Sequence, residues 1–224
     1  LSRRSFLQTS AGLAAGTLLP AAPRKKLRLG FDNFAVRAMG WKAPQLIDHA
    51  AALKVDVLLI SDLDAYDTHE EASLRDVKKK ADDAGLQILA GTGGICPTSS
   101  TWKNKWGTPE EHLKLTIRVA KALGSPVARC YLGRGEDRAG EGGIERHMAE
   151  VVRIFKSFRS TALVAGIKIA IENHAGDMQS WELVSLIEEA GKDYVGAMID
   201  PGNAVWALED PLHHADLIAR LLLL

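Results

Sequence analysis

Segments typical of β-strands and α-helices alternate six times along this 224-residue chain, and this order limits the fold more than any other feature. Short apolar, β-branched runs predict strands at residues 27–31, 56–61, 86–90, 126–132, 167–171 and 195–199. The predicted helices lie at 44–53, 70–84, 108–123, 144–165, 180–190 and 211–222. Strict alternation favours a parallel sheet, either a closed barrel or a doubly wound open sheet.

The positions of the glycines favour the barrel. A dinucleotide-binding sheet needs G-x-G-x-x-G directly after its first strand, and Gly30 followed by Phe31, Asp32 and Asn33 does not supply it. The glycine cluster at 91–94 opens no predicted helix, so it is predicted to be a mobile loop over the site. We therefore predict an α/β fold, a (β/α)8 TIM barrel that is incomplete because about six βα units are present.

The number of units falls short of a full barrel. A complete barrel has eight units and typically about 250 residues. The chain stops inside its sixth predicted helix, in four leucines at 221–224. An open six-stranded sheet would leave two unpaired edges. We therefore expect the sequence to be the first three quarters of a larger domain.

The first residues predict an export signal. Arg3 and Arg4 precede Ser-Phe-Leu, and a moderately apolar stretch at 9–19 leads into small residues and prolines. A charged start, a short apolar middle and a small-residue end are typical of a signal peptide, and paired arginines indicate the twin-arginine route. A disordered basic tail is the alternative. We predict a signal peptide at 1–23, a partial barrel at 24–224 and an exported, periplasmic protein.

The overall composition argues against two classes of protein. The chain is 46% hydrophobic and 25% charged with a formal net charge of +0, so no nucleic-acid partner is expected. No apolar run in its body is long enough to span a membrane, so no membrane contact beyond export is expected. Cys96 and Cys130 are predicted to be free or buried thiols, although their pairing stays open because the sequence does not give their geometry. Self-association into a homo-oligomer also stays open.

Two successive predicted strands each deliver a carboxylate at the carboxyl end. Glu172 follows the fifth strand and Asp200 follows the sixth, both with polar neighbours. In a barrel of parallel strands these ends share one mouth, where active sites lie. Two carboxylates there, with imidazole and amide nearby, suit a hard or borderline divalent ion. The structural alternative is that such carboxylates are helix caps or turn residues.

Four motifs accompany these carboxylates, at 129–131 (Arg-Cys-Tyr), 171–174 (Ile-Glu-Asn-His), 200–203 (Asp-Pro-Gly-Asn) and 210–211 (Asp-Pro). Together they resemble the xylose isomerase-like TIM barrels, which include sugar phosphate isomerases and epimerases and the family 2 AP endonucleases. The resemblance implies one divalent ion (Mn, Mg, Co or Zn) at the barrel mouth, with Glu172 and Asp200 as ligands. The family's other ligands, a His after strand seven and a Glu after strand eight, have no counterpart in this sequence.

This resemblance implies a sugar or sugar phosphate isomerase or epimerase that acts on a small-molecule sugar. Such a reaction removes a proton beside a carbonyl and passes through an enediolate, which a divalent ion stabilises as a Lewis acid. Glu172 is then both ligand and base, and the second carboxylate of the pair is expected beyond residue 224. The residues implied to contact the sugar are Arg129, Asn173, His174 and Asn203.

Alternatives remain for both the residues and the function. Arg129 could bind an anionic group or pair with Glu172, and His174 could be a solvated loop residue. An AP endonuclease-like phosphodiesterase is a second functional hypothesis, ranked low because it would want a basic surface and a histidine-rich site. A non-catalytic carbohydrate-binding or inert fragment is the third.

Two pairs of ring-bearing side chains outside these motifs also carry predictions. His213 and His214 are predicted to lie on the surface of the last helix, because histidines there are usually exposed. Trp102 and Trp106 could form an apolar wall or lid over a sugar, or could simply pack the loop that carries them.

Overall fold

The computed structural model describes residues 27–223, so the predicted signal peptide lies outside the described residues. Six strands form one sheet: β1 (Gly30–Asp32), β2 (Val57–Ile60), β3 (Gln87–Gly94), β4 (Val127–Tyr131), β5 (Lys168–Glu172) and β6 (Val195–Met198). Within the described residues, seven α-helices accompany it: α1 (Ala43–Leu53), α2 (Glu71–Asp83), α3 (Pro109–Leu123), α4 (Gly143–Ala165), α5 (Ser180–Ala190), α6 (Pro201–Trp206) and α7 (Pro211–Ile218).

The strand order distinguishes the two architectures that the sequence allows. Every strand pairs in parallel with its neighbour in the sequence, from β1 through β6. A doubly wound sheet reverses its strand order at a switch point, whereas a barrel adds each strand beside the previous one. The observed order is therefore TIM-barrel-like, and the prediction of an α/β fold with about six βα units is confirmed.

The core joins the sheet to the helices around it. Strand β5 contributes Ile169 and Ile171, both fully buried, and α4 packs Ile154 and Phe155 into the same cluster. Continuous apolar burial along a strand is expected where helices cover a parallel sheet. This packing fixes the carboxyl ends of β4 and β5, from which the principal site residues project.

The glycine cluster at 91–94 belongs to β3, so the prediction of a mobile loop is wrong. A Cβ atom built on Gly91 would lie 3.1 Å from side-chain atoms of Arg129, and one on Gly94 would lie 2.9 Å from Thr101 Oγ1. The glycines therefore allow neighbouring groups to approach the strand closely. The pairing of β3 with β4 shifts register between Gly91 and Gly94.

The segment after β6 is helical where the sequence predicted a loop. Asp200 caps α6, and its Oδ1 accepts backbone N–H groups from Gly202 at 2.8 Å and Asn203 at 3.2 Å. The predicted helix at 211–222 is also shorter, because α7 ends at Ile218 and a 3₁₀ turn follows. The structural alternative for Asp200, a helix cap, is thus present in the structure.

The structure corrects one of the two histidine predictions. His213 is exposed as predicted, but His214 is fully buried and its Nδ1 lies 2.8 Å from Glu209 Oε2. Glu209 also accepts hydrogen bonds from the backbone N–H and the hydroxyl of Ser180. Glu209 therefore joins the start of α5 to α7 and draws His214 into the interface between these helices.

The two tryptophans of the 95–107 segment pack against histidines. Trp106 meets His69 edge-on with ring centres 5.0 Å apart, and Trp102 lies 5.9 Å from the ring of His112. Both contacts agree with the packing alternative.

Cys96 and Cys130 are buried free thiols. Within residues 27–223, no helix combines the length and apolar character needed to cross a membrane.

Candidate active site

A cavity of about 550 Å³ opens at the carboxyl ends of the strands. This volume lies within the range of small-molecule sites, about 300–1,000 Å³. Five of the six residues predicted to form the site line it: Arg129, Glu172, His174, Asp200 and Asn203. The sixth, Asn173, is absent from its wall. Other lining residues include Asp32, Asn33, Phe34, Arg37, Ser61, Asp62, Gly93 and Tyr131.

Glu172 is the last residue of β5 and is only 4% exposed. Its Oε2 accepts a hydrogen bond of 2.6 Å from Arg129 Nε, and Arg129 Nη2 also contacts this oxygen. Burial raises the pKa of Glu172 above its ordinary value, and the nearby Asp200 and Asp32 add to this rise. Arg129 opposes the rise by stabilising the charged form. Glu172 is therefore a buried carboxylate whose charge depends on one cation.

Arg129 is held by contacts on two sides. Its Nη1 donates to the carbonyl oxygen of Thr92 at 2.8 Å, and its Cζ lies 5.2 Å from the centre of the Tyr131 ring. The side chain is as buried as that of Glu172. Of the two roles that the sequence left open, pairing with Glu172 is the one seen in the structure, while a sugar-binding role remains a prediction.

Behind Arg129 lies a buried pair that the sequence did not indicate. Thr92 Oγ1 and His112 Nε2 are 2.6 Å apart. Burial lowers the pKa of His112 to about 4, so this imidazole is neutral near pH 7. His112 Nδ1 has no hydrogen-bond partner among the described residues. The pair connects α3 with the β3 carbonyl that receives Arg129, and only the fold brings together residues twenty positions apart.

His174 lines the cavity, and its hydrogen bonding defines which ring nitrogen donates and which accepts. Its Nδ1 lies 2.7 Å from the carbonyl oxygen of Gly133, so this nitrogen must donate. Burial lowers the pKa of His174, which keeps the ring neutral near pH 7 and leaves Nε2 as an acceptor. The ring stacks on Tyr131 with centres 3.7 Å apart and planes 13° apart. The alternative of a solvated loop histidine does not agree with this packing.

Asp177 holds the loop that carries His174. It is fully buried, and its carboxylate accepts backbone N–H groups from His174 at 2.9 Å, Met178 at 2.6 Å and Gly133 at 3.1 Å. Burial raises the pKa of Asp177 to about 7, although these three hydrogen bonds favour the charged form. Asp177 therefore joins the loops after β4 and β5.

The two asparagines join the last two strands. Asn173 Nδ2 donates to the carbonyl oxygen of Asp200 at 2.8 Å, and Asn173 Oδ1 accepts from the Asp200 N–H at 2.8 Å. Asn203 Nδ2 donates to the Asn173 carbonyl oxygen and to Asp200 Oδ2, both at 3.0 Å. Asn173 is 1% exposed, so its observed contacts position Asp200. A direct sugar contact from Asn173 remains a prediction that this geometry does not support.

The first two strands add a polar wall that the sequence analysis missed. Ser61 Oγ donates to Asp32 Oδ1 at 2.5 Å, and the Ser61 N–H donates to Asn33 Oδ1 at 2.8 Å. Asp32 ends β1, as Glu172 ends β5. The general pattern of polar residues after barrel strands was the available signal.

The donor set suits a divalent ion in chemical type. Glu172, Asp200 and Asp32 face one cavity, and the electrostatic influence of the two aspartates on Glu172 shows that negative charge accumulates there. Carboxylate oxygens are ligands for Mg²⁺ and Mn²⁺. However, residues 27–223 contain no group of three or more His, Cys, Asp or Glu side chains arranged to hold a metal ion. Metal binding therefore remains a prediction, supported by the type of these side chains and not by a complete set of ligands among the described residues.

Similarity to solved structures establishes the fold. A xylose isomerase domain protein from Planctomyces limnophilus is 18% identical with a TM-score of 0.61, and the match covers 79% of this chain and 66% of that one. D-Psicose 3-epimerase from Clostridium cellulolyticum H10 is 14% identical (TM-score 0.64; 88% and 71% covered). A sugar phosphate isomerase/epimerase from Parabacteroides distasonis ATCC 8503 is 18% identical (TM-score 0.60; 93% and 77% covered). The chain thus spans just under two thirds of the first structure.

Matches to family models give more direct evidence of the family than similarity to solved structures does. The model of the twin-arginine translocation signal sequence matches residues 1–20, which confirms the predicted export signal. No curated protein matches the chain. The model described as xylose isomerase-like TIM barrel matches residues 28–222, almost the whole of the described structure. The chain therefore belongs to the xylose isomerase-like TIM barrel family.

Proposed function

We propose that this protein isomerises or epimerises a sugar or sugar phosphate by moving a proton on a carbon beside the carbonyl group, through an enediolate. The observation that carries the proposal is Glu172, a buried carboxylate held by Arg129 at the wall of a cavity that also contains Asp200. Structural neighbours described as a D-psicose 3-epimerase and a sugar phosphate isomerase/epimerase share the fold, and the proposed reaction class is the one their descriptions name.

Glu172 is the proposed base. A carboxylate in water is too weak a base for a carbon-bound proton, and burial raises the pKa of Glu172 towards the working pH. Arg129 keeps the carboxylate charged and fixes its orientation by holding Oε2. Protonation of Glu172 weakens this ion pair, so the same contact favours return of the proton to the sugar.

A divalent ion is part of the proposal, with its identity (Mn, Mg, Co or Zn) undetermined. Glu172 and Asp200 would hold it. Such an ion supplies Lewis acidity, which stabilises negative charge on sugar oxygens. Asn173 and Asn203 hold Asp200 by backbone and side-chain hydrogen bonds, so this carboxylate keeps its position at the cavity wall.

The remaining wall suits a hydroxyl-rich ligand. His174 Nε2 is an acceptor for a sugar hydroxyl, because Nδ1 is committed to the Gly133 carbonyl. Tyr131 and His174 form one stacked aromatic layer beside it. Asn203 supplies an amide at the same wall. Together these groups would orient a sugar ring beside Glu172.

Solvent isotope exchange tests the proposal directly. The purified protein is incubated with Mn²⁺ in D₂O with D-fructose, D-tagatose, D-psicose and their phosphates, and deuterium entry beside the carbonyl is followed by NMR. We expect exchange into at least one sugar and a loss of roughly 100-fold or more in Glu172→Gln, as for removal of a general base. Glu188→Gln, on the exposed face of α5, is the matched control.

Metal binding is measured separately by calorimetry with MnCl₂. We expect Asp200→Asn to weaken Mn²⁺ binding, while the amide oxygen keeps the helix cap. Exchange that persists in Glu172→Gln would overturn the assignment of the base. Mn²⁺ binding without exchange into any sugar would favour the non-catalytic carbohydrate-binding alternative.

A further inference from the structure

A second cavity of about 230 Å³ adjoins the active-site cavity. Asn33, Arg37 and Asp62 line both spaces, so the two are separated by shared side chains and not by core packing. Glu172 lines only the larger cavity. A ligand whose reacting ring lies beside Glu172 therefore has a side space into which a substituent can extend.

One wall of the second cavity is aromatic. Trp41 lines it and packs against the core, with its ring centre 5.0 Å from that of His49. These contacts support the indole on the side that faces the core. Aromatic rings offer a broad apolar surface at little entropic cost, and the CH groups of a sugar ring form a matching face.

The remaining wall carries balanced charge. Arg37 and Lys42 contribute two cations, and Asp62 and Asp64 contribute two carboxylates, of which Asp64 also pairs with Lys105. Lys42 Nζ is held by the Asp64 carbonyl oxygen at 2.7 Å, and Asp62 accepts the Asp64 N–H at 2.8 Å. Cationic donors and carboxylate acceptors on one wall match hydroxyl groups, which both donate and accept. An anionic group would meet the two carboxylates as well as the cations.

Arg37 lies at the boundary between the two cavities and lines both. Its Nη1 donates to the Phe34 carbonyl oxygen at 2.9 Å, and its Cζ lies 3.9 Å from the centre of the Phe34 ring. Within residues 27–223 Arg37 forms no ion pair with a carboxylate. Its remaining N–H groups can donate to the atoms that join two sugar rings.

We propose that the second cavity is a subsite for a glycosyl group, so that the substrate is a glycosylated sugar and not a single ring. This inference rests on the proposed function for the position of the reacting ring. Trp41 contacts the face of the added ring, Lys42 and Asp62 bind its hydroxyls, and Arg37 binds at the linkage.

Matched ligands test this subsite. Binding of D-fructose to the Mn²⁺-loaded protein is compared by calorimetry with binding of turanose, maltulose and isomaltulose. Each of these disaccharides carries one glucosyl group on fructose, at a different oxygen. We expect at least one to bind roughly ten-fold more tightly than fructose, a difference of about 1.4 kcal/mol.

Variants then test which residues provide the additional affinity for the disaccharide. Trp41→Ala is expected to remove most of the preference for the disaccharide while leaving fructose binding within about two-fold, because Trp41 lines the second cavity and not the first. Arg37→Ala is expected to weaken disaccharide binding more than fructose binding, because Arg37 lines both cavities. Trp181→Ala and Arg146→Ala are the controls, since neither residue lines either cavity. Trp41→Phe is included in case loss of the indole impairs folding.

The outcomes separate this inference from the proposed function. Equal binding of fructose and all three disaccharides would overturn the subsite, as would a preference that survives in Arg37→Ala, Trp41→Ala and Trp41→Phe. Isotope exchange into fructose reports on the proposed function independently. Disaccharide binding that depends on Trp41, without exchange into any sugar, would support the subsite and contradict the isomerase.

Discussion

Glu172 and Asp200 end or follow neighbouring strands of one sheet, yet the two carboxylates are stabilised in different ways. Glu172 is 4% exposed and depends on the buried guanidinium of Arg129. Asp200 is half-buried and is stabilised by backbone N–H groups at the start of α6. The comparison shows that position after a strand does not set the chemistry of a carboxylate, whereas burial and partners do.

The largest expected effect follows from removing the cation of the buried pair. Arg129→Met leaves Glu172 as a buried charge without its partner, which costs about 3–5 kcal/mol of the free energy of unfolding near pH 7. Urea denaturation measures this cost. The double variant Arg129→Met with Glu172→Gln should recover much of it, because no unpaired charge remains. A single variant as stable as the parent would mean that Glu172 does not depend on Arg129.

The pH dependence of stability tests how burial affects another carboxylate, that of Asp177. Its pKa is raised from 3.8 to about 7 in the folded protein, so between these pH values the folded state holds one more proton than the unfolded state. Its contribution to stability is full below the unfolded value and is lost as pH rises towards 7, at up to about 1.4 kcal/mol per pH unit. Asp177→Asn should flatten this decline in denaturation curves recorded from pH 4 to 7. An unchanged slope would show that Asp177 does not cause it.

Substitutions at Thr92 test the buried contact between Thr92 and His112, which lies behind Arg129. Thr92→Val removes the hydroxyl that contacts His112 and leaves a buried imidazole without this partner, at a cost of about 1–3 kcal/mol. Thermal and urea unfolding measure the loss. Thr92→Ser keeps the hydroxyl and should stay closer to the parent. A loss in Thr92→Ser with none in Thr92→Val would contradict this and assign the effect to packing of the threonine methyl group, which valine keeps and serine lacks.

The smallest expected effect lies at the half-buried carboxylate. Asp200→Ala removes a helix cap and should cost about 0.5–2 kcal/mol, whereas Asp200→Asn keeps an oxygen acceptor and should remain near the parent. Urea denaturation compares the two variants. An Asp200→Ala cost as large as that of Arg129→Met would contradict the distinction between the two carboxylates.

The sequence predicted the elements whose signals are local. The apolar run before Glu172 and the capping residues of the helices specify structure within a few positions, so α5 matches its predicted bounds. The same local pattern placed Glu172 and Asp200 at one cavity. The glycines at 91–94 were misjudged because close approach between strands involves side chains far along the chain.

Most of the missed site residues depend on long-range contacts. Ser61 meets Asp32 and Asn33 across 28 or 29 positions, and His214 is buried because Glu209 joins it to Ser180. Neither contact leaves a periodic pattern in the sequence. A helix cap such as Asp200 and a metal ligand also share one residue type, so the sequence could not separate these roles.

The glycine at position 91 limits how this site can change during evolution. A Cβ atom there would lie about 3.1 Å from side-chain atoms of Arg129, closer than ordinary packing, so Arg129 would have to shift to accommodate any side chain at this position. Arg37 and Trp41 lie in the connection after β1, away from this constraint. Under the proposed function, changes in substrate range would therefore arise more readily in that connection than in the middle of β3.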